Sequence, residues 1–249
     1  MANSTGACPP LNITSNMQAT TEKHQAATGH SHAQQQTGQL EVVYYTDPLC
    51  CWSWAFEPAW QQLLREYEGR ISWRYCMGGL LADWKAYHDT MNAVSKPLQM
   101  GPLWMQARQV SGQPLNDRIW FLDPPASSYP ACLAVKCAGL QSARAEHLYL
   151  YYARNAVMAA GRNIAKKAVL LEAAADLETA HPGTLDLQRF EADLQQDAAL
   201  ALFRQDLQEV SYRNITRFPT LVIHSAGKKS VMMTGYRPYE ALAQLLAQL

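Results

Sequence analysis

The chain has 249 residues, of which 48% are apolar and 17% charged, a globular composition long enough for one substantial core with a satellite lobe. Its 21 basic and 21 acidic residues cancel to a formal net charge of zero, so there is no basic field for a phosphate backbone and no nucleic-acid partner is expected. No apolar run approaches the roughly 20 residues that span a bilayer, and no membrane partner is expected either.

Residues 1–38 are dominated by Asn, Ser, Thr, Gln, Gly and His. They lack the apolar stretch of a secretory signal, from which a cytoplasmic protein is expected. They also carry too little apolar surface to offset the entropy of ordering, and so read as a disordered polar tail. His24, His30 and His32 lie there, but Gly29-His30-Ser31-His32 has no Cys or acidic partner close by, and no metal site is expected. Six cysteines in a chain this long are not the density of a disulfide-stapled domain, so most are expected to be reduced.

The folded part opens with Leu40–Thr46, an apolar, β-branched and aromatic run without strict alternation, the pattern of a strand buried on both faces. Asp47-Pro48 ends it. Apolar residues then recur at Phe56, Trp60, Leu63, Leu64 and Tyr67, a helical spacing for which Gly69 is a stop. In Ile71–Met77, Ile71, Trp73, Tyr75 and Met77 alternate with polar or smaller residues, which predicts a second strand. Strand, helix and strand of these lengths make a βαβ unit with a parallel pair.

From Asp83 to about Arg213 no strand pattern appears. Helical stretches are predicted within Tyr129–Ala160 and Ile164–Ala180, with Asn163 as an N-cap. His181-Pro182-Gly183-Thr184 breaks the run, and Thr184 is expected to cap the next helix. Thr220–His224 and Ser230–Thr234 flank a polar, Gly-containing loop and predict a hairpin. Beyond Gly235 and Pro238, the stripe Ala241, Leu242, Leu245, Leu246, Leu249 predicts a closing helix. The expected order is β-α-β, helical lobe, β-β-α. Residues 39–82 and 214–249 would form an α/β domain into which residues 83–213 insert an all-helical lobe.

The chemistry concentrates in Thr46-Asp47-Pro48-Leu49-Cys50-Cys51-Trp52-Ser53-Trp54, between the first strand and the first helix. A cysteine at a helix N-terminus meets unpaired backbone N–H groups and the positive end of the helix dipole. Both favour thiolate, which predicts a Cys50 pKa below the ~8.5 of a free thiol. Far away in sequence, Arg217-Phe218-Pro219-Thr220 places proline directly before a strand, where its missing N–H asks for an explanation. A trans proline opening the strand and a cis Phe218–Pro219 bond both satisfy that pattern.

The succession strand, Asp-Pro-x-Cys-x-x-(Cys or Ser)-Trp, helix, strand, helical insertion, Phe-Pro-Thr, hairpin, helix resembles the DsbA-like branch of the thioredoxin superfamily over about residues 40–249. The resemblance implies a thioredoxin-like fold, Cys50 as nucleophile, and Pro219 as a cis-proline beside it. Phe218, Pro219 and Trp52 would contact substrate. The fourth motif position, usually the resolving cysteine, is Ser53. A disulfide between first and fourth positions is therefore unavailable, although Ser53 can donate a hydrogen bond to a Cys50 thiolate.

Three accounts stay open. Cys50 forms a mixed disulfide with glutathione, another small thiol or a client protein, and an outside thiol resolves it. Or Cys51 pairs with it, against the strain of linking neighbours whose Cα atoms lie only 3.80 Å apart. Or Cys76 or Cys132 reaches across. Cys132 and Cys137, five apart on a helix, point about 140° from each other and cannot pair locally. Asp47 and Cys51 are candidates for tuning Cys50, and Glu57 for a buried proton acceptor below it. His88, His147 and His224 show no ligand spacing. No cofactor is expected beyond glutathione as a co-substrate.

Two other groups bear comparison. Kappa-class glutathione transferases and chromene-carboxylate isomerases share the architecture but carry serine at the first motif position. The thioredoxin-like adaptors of the Clp protease also begin Asp-Pro-Leu-Cys, matched by Asp47-Pro48-Leu49-Cys50. That resemblance implies a fold used to bind a protein client, with catalysis dispensable. A thiol–disulfide oxidoreductase acting through Cys50 and a non-catalytic adaptor are thus the two functional expectations.

Overall fold

The structure, a computed structural model, describes residues 40–249. The polar tail and its His30/His32 pair lie outside the described residues. Strand β1 (Leu40–Thr46) leads into α1 (Cys51–Glu66), which returns through a turn with Gly69 at φ 72° to β2 (Ile71–Met77). β1 and β2 pair in parallel with Leu40 opposite Ile71 and Thr46 opposite Met77, as a βαβ crossover requires. The insertion follows as α2 (Met100–Ser111), α3 (Ile119–Leu122), α4 (Tyr129–Gly139), α5 (Ala143–Met158), α6 (Lys167–Ala180), α7 (Leu187–Asp193) and α8 (Asp197–Tyr212). Then come β3 (Thr220–His224), β4 (Val231–Thr234) and α9 (Tyr239–Leu246).

The sheet order is β2-β1-β3-β4, with β3 antiparallel to both of its neighbours. This is a thioredoxin-like fold with a helical insertion. β1 is central, and its two faces bury different partners. Tyr44 faces α1, with its ring centroid 5.8 Å from Phe56 and 4.9 Å from Trp60. Edge-on aromatic pairs of this kind add roughly 0.5–1.5 kcal/mol each beyond their area burial. Val43 and Tyr45 face the other way, into a cluster with Cys76, Ile215 and Val222 beside α8. A strand covered on both sides needs no polar alternation, which is why Leu40–Thr46 reads as a continuous run.

The Tyr129–Ala160 stretch holds two helices, α4 and α5, and the second starts where Ser142 accepts the Ala145 N–H. Two expected caps differ. Asn163 is not the N-cap of α6, which starts at Lys167 after Lys166. Its carboxamide oxygen instead accepts the Ala165 N–H in a local turn, two residues on, the arrangement that lets Asn compete with helix. Thr184 likewise does not cap α7: the Asp186 carboxylate does, accepting from the Gln188 and Arg189 N–H groups. A carboxylate satisfies two orphan amides and matches the helix dipole better than a hydroxyl.

No helix among the described residues is long and apolar enough to cross a membrane.

Candidate functional site

The carboxyl end of β1 builds the site. Asp47-Pro48-Leu49-Cys50 is a turn in which Cys50 N–H donates to the Asp47 carbonyl at 3.1 Å and Leu49 N–H to Asp47 Oδ1 at 2.8 Å. Asp at the first and Pro at the second position are what such a turn favours. The second carboxylate oxygen, Oδ2, accepts from Leu80 N–H at 2.7 Å, Ser128 Oγ at 2.8 Å and Cys132 Sγ at 3.3 Å. Asp47 therefore ties the cysteine turn to the loop after β2 and to α4. Burial raises its pKa even though every one of these bonds opposes the rise.

Cys50 is the N-cap residue of α1 and is 5% exposed. Its thiol donates to the Phe218 carbonyl at 3.4 Å, and the Phe218–Pro219 peptide bond is cis. The helix thus delivers the sulfur to the backbone of a segment 168 residues away. Phe218 fits there because Gly78 has no side chain: a Cβ on Gly78 would lie 1.9 Å from Phe218 Cζ.

The expected depression of the Cys50 pKa is not what the site gives. Burial pushes the thiol up, outweighing the Ser53 hydroxyl and the Ser53 and Trp52 N–H groups that favour thiolate, while the Asp47 charge adds to the rise. Desolvation costs an anion more here than the first-turn amides return. Ser53 is fully buried, and its hydroxyl oxygen has no hydrogen-bond partner among the described residues, so the thiol and the hydroxyl stand near each other without a formed bond.

The other four described cysteines are held elsewhere. Cys51 is buried and free, its pKa far above the ordinary range through burial and then the neighbouring Cys50. Cys76 donates to the Asp206 carbonyl at 3.5 Å on the sheet face away from α1, and Cys132 is committed to Asp47. Burial raises Cys137 to about 12.

A groove of about 940 Å³ opens beside Cys50. Leu49, Cys50 and Trp52 form one side, Arg217, Phe218 and Tyr236 another, and the loop carrying Tyr87 and Met91 a third. Trp52 is half-buried with its ring 6.2 Å from Tyr236, whereas Trp54, Phe56 and Trp60 are core. Sequence reasoning did not find the Gly78-Gly79 pair, Ser128 or the Tyr87 loop. Adjacent glycines directly after a predicted strand were the available signal for the first.

A buried polar network underlies the Cys50 turn. Arg154 of α5, fully buried, pairs with Glu57 of α1 and donates to the Thr46 hydroxyl. Glu57 also accepts from Gln61 at 2.6 Å, and the chain continues through His147 to Tyr75. Glu57 is thus an ion-pair partner rather than an open proton acceptor. His147, unremarkable by spacing, is a core residue whose protonation burial disfavours. Among the described residues no group of three or more His, Cys, Asp or Glu stands ready to hold a metal ion.

A cysteine at the first helix's N-cap, a cis-proline loop against it and a β-α-β/β-β-α sheet with a helical insertion define a DsbA-like thioredoxin-fold protein. A family model described as Thioredoxin matches residues 44–244, and the chain belongs to that family. Among curated proteins it is similar to the ClpXP adapter protein SpxH of Halalkalibacterium halodurans, 28% identical over 209 residues covering 83% of this chain and 66% of that one. The SpxH of Bacillus subtilis is 25% identical over 92% of this chain and 74% of its own length. The chain thus spans just under two thirds of the first of these relatives. Among solved structures, one described as a protein disulfide isomerase from Nitrosomonas europaea superposes with TM-score 0.69 at 26% identity, covering 84% of this chain and 97% of that one. The cytosolic disulfide reductase DsbM from Pseudomonas aeruginosa, at TM-score 0.64 and 22% identity over 84% and 98%, shares the fold.

Proposed function

We propose that this protein is a monothiol thiol–disulfide exchange protein of the cytoplasm. Cys50 takes a substrate sulfur into a mixed disulfide, the Phe218–Pro219 backbone holds the substrate as a short extended segment, and Trp52 flanks it. The Cys50 thiolate attacks one sulfur of the substrate disulfide; the new S–S bond forms as the old one breaks, and the departing thiolate takes up a proton. A second, external thiol then releases Cys50, because Ser53 has no sulfur with which to resolve it. Glutathione is the small thiol that this scheme calls for, and DsbM, whose fold this chain shares, also has a solved structure with GSH. The observation that carries the reading is the 3.4 Å approach of the Cys50 sulfur to the Phe218 carbonyl at the edge of an open groove.

The test is incubation with glutathione disulfide and mass spectrometry of each cysteine. A glutathione adduct on Cys50 that is absent from Cys50→Ser supports exchange; a Cys50 that takes up no glutathione sinks it.

A second reading is favoured by two observations: burial raises the Cys50 pKa, and the curated relatives are ClpXP adapters. Here the same groove binds a protein client and Cys50 is a structural thiol. Client binding that survives Cys50→Ser unchanged selects this reading over the first.

A further inference from the structure

Among the described residues that line the groove, Arg217 is the only Lys or Arg. It is exposed, belongs to none of the ion pairs formed among the described residues, and its guanidinium meets the thioether of Met91. A thioether is a weak acceptor, so the five N–H donors of this side chain lack a strong partner among the described residues. The acidic residues of the same groove form no ion pair with it among the described residues. Asp83 accepts from Lys85 and Ala86 N–H at 2.7 and 2.9 Å. Asp89 accepts from Met91 and Asn92 N–H and from the Asn92 carboxamide. Each carboxylate is folded back on its own turn.

Position gives this cation a meaning. Arg217 directly precedes Phe218, whose carbonyl touches the Cys50 sulfur. An extended peptide laid antiparallel on this segment, with its cysteine opposite Phe218, places its next residue opposite Arg217, because antiparallel partners run i with j and i+1 with j−1. Side chains directly opposite in such pairs lie roughly 4.5–5.5 Å apart at Cβ, within reach of a long guanidinium. A planar fork of donors is matched by a carboxylate. From this geometry, and resting on the exchange function proposed above, we infer that Arg217 selects substrates carrying a carboxylate immediately after the reacting cysteine. The two sources of that chemistry are the glycine carboxylate of glutathione and an Asp or Glu following a client's cysteine.

With Asp83, Asp89 and Arg217 as its charged lining, the groove has no long-range pull on anions. Selection is a contact effect, so it survives moderate salt better than steering does.

The experiment measures the rate at which Cys50 of the full chain forms a mixed disulfide with three probes. They are glutathione disulfide, neutral 2-hydroxyethyl disulfide and dicationic cystamine. For wild type the glutathione-to-cystamine ratio exceeds one. In Arg217→Gln that ratio falls about tenfold, the size of one charge-assisted contact, and Arg217→Lys recovers part of it. Lys85→Gln, which removes a positive charge from the neighbouring loop without lining the groove, leaves the ratio in place. Disulfides of blocked Cys-Asp and Cys-Asn peptides form the second arm. Dependence on Arg217 in that arm assigns a protein source, and dependence confined to glutathione assigns the small thiol. An equal fall for all three probes, or no fall, overturns the inference. If Cys50 exchanges with no probe, the exchange function fails; binding of S-methylglutathione, compared between wild type and Arg217→Gln by calorimetry, then decides the inference separately. Loss of that binding in Arg217→Gln keeps Arg217 as a carboxylate site, and equal or absent binding removes it.

Discussion

Cys50 and Cys76 begin from the same chemistry and the same depth. Each thiol is buried, each donates to a backbone carbonyl, at 3.4 and 3.5 Å, and burial is the first cause that raises each pKa. They part at the second cause. Around Cys50 it is the Ser53 hydroxyl and two first-turn amides, which favour thiolate. Around Cys76 it is the carboxylates of Asp206 and Glu209, which oppose thiolate. Cys50 also borders the groove, while Cys76 does not line it. The two thiols are thus distinguished by the sign of what lies beyond their burial, not by burial itself.

The largest test of that contrast is native-state alkylation read cysteine by cysteine. Cys50 is expected to label at least about tenfold faster than Cys76, because the groups beyond its burial include donors that favour thiolate and because it borders the groove. Because its pKa is raised, Cys50 labelling climbs about tenfold per pH unit through neutrality. A rate flat across that range means the amides win after all. The linkage has a matching sign. A raised thiol pKa leaves stability intact below the unfolded-state value and removes it as pH rises through the folded one, so the fold weakens on the alkaline side.

Each thiol also overlies a buried ion cluster, and the two clusters differ in redundancy. Near Cys50, Arg154 has Glu57 as its one carboxylate partner among the described residues, with side chains 0% and 6% exposed. Near Cys76, Lys136 has both Glu146 and Asp206. Glu57→Gln strands a buried guanidinium and is expected to cost about 3–5 kcal/mol in urea unfolding. Asp206→Asn leaves Lys136 a remaining counter-charge and costs less. The reverse order would show that the clusters share a charge balance across the sheet.

A smaller effect belongs to Gly78. Alanine there would place Cβ 1.9–2.5 Å from three Phe218 ring atoms, forcing the ring away. Overpacking of this kind costs about 1–3 kcal/mol. The Cys50 environment is expected to change with it, seen as altered Cys50 labelling, while Cys76 stays protected. Unaltered Cys50 labelling would mean the carbonyl of Phe218 holds its place without its ring.

Much of this was legible in the chain because it is local. The doubly buried run Leu40–Thr46, the helical spacing from Phe56 to Tyr67 and the Thr220–Thr234 hairpin follow from periods of 2 and 3.6 and from turn residues. Asp47-Pro48 before Cys50 announces its own turn. The Cys50 pKa direction did not follow, because it is set by desolvation from segments distant in sequence, Phe218 among them. Helix starts at Lys167 and Leu187 were misplaced because Asn163 spends its carboxamide on a local turn at Ala165 and Asp186, two residues beyond Thr184, takes the first amides of α7. Arg154 and His147 carry no spacing signature; only tertiary packing of α5 on α1 makes them a network.

The smallest expected effect sharpens the contrast most. Arg74 pairs with Glu209 at 2.7 Å, but its side chain is 44% exposed, and Glu209 also accepts from Tyr45 and pairs with Arg213. Exposed pairs contribute roughly 0.2–1 kcal/mol, so Arg74→Ala is expected to shift the urea midpoint only slightly. Its loss removes a charge that favours the Cys76 thiolate and leaves the two carboxylates that oppose it. Cys76 must therefore remain unlabelled. Labelling of Cys76 in Arg74→Ala would mean that the two thiols differ in how well they are covered rather than in the charges around them, and the distinction between them would have to be redrawn on access alone.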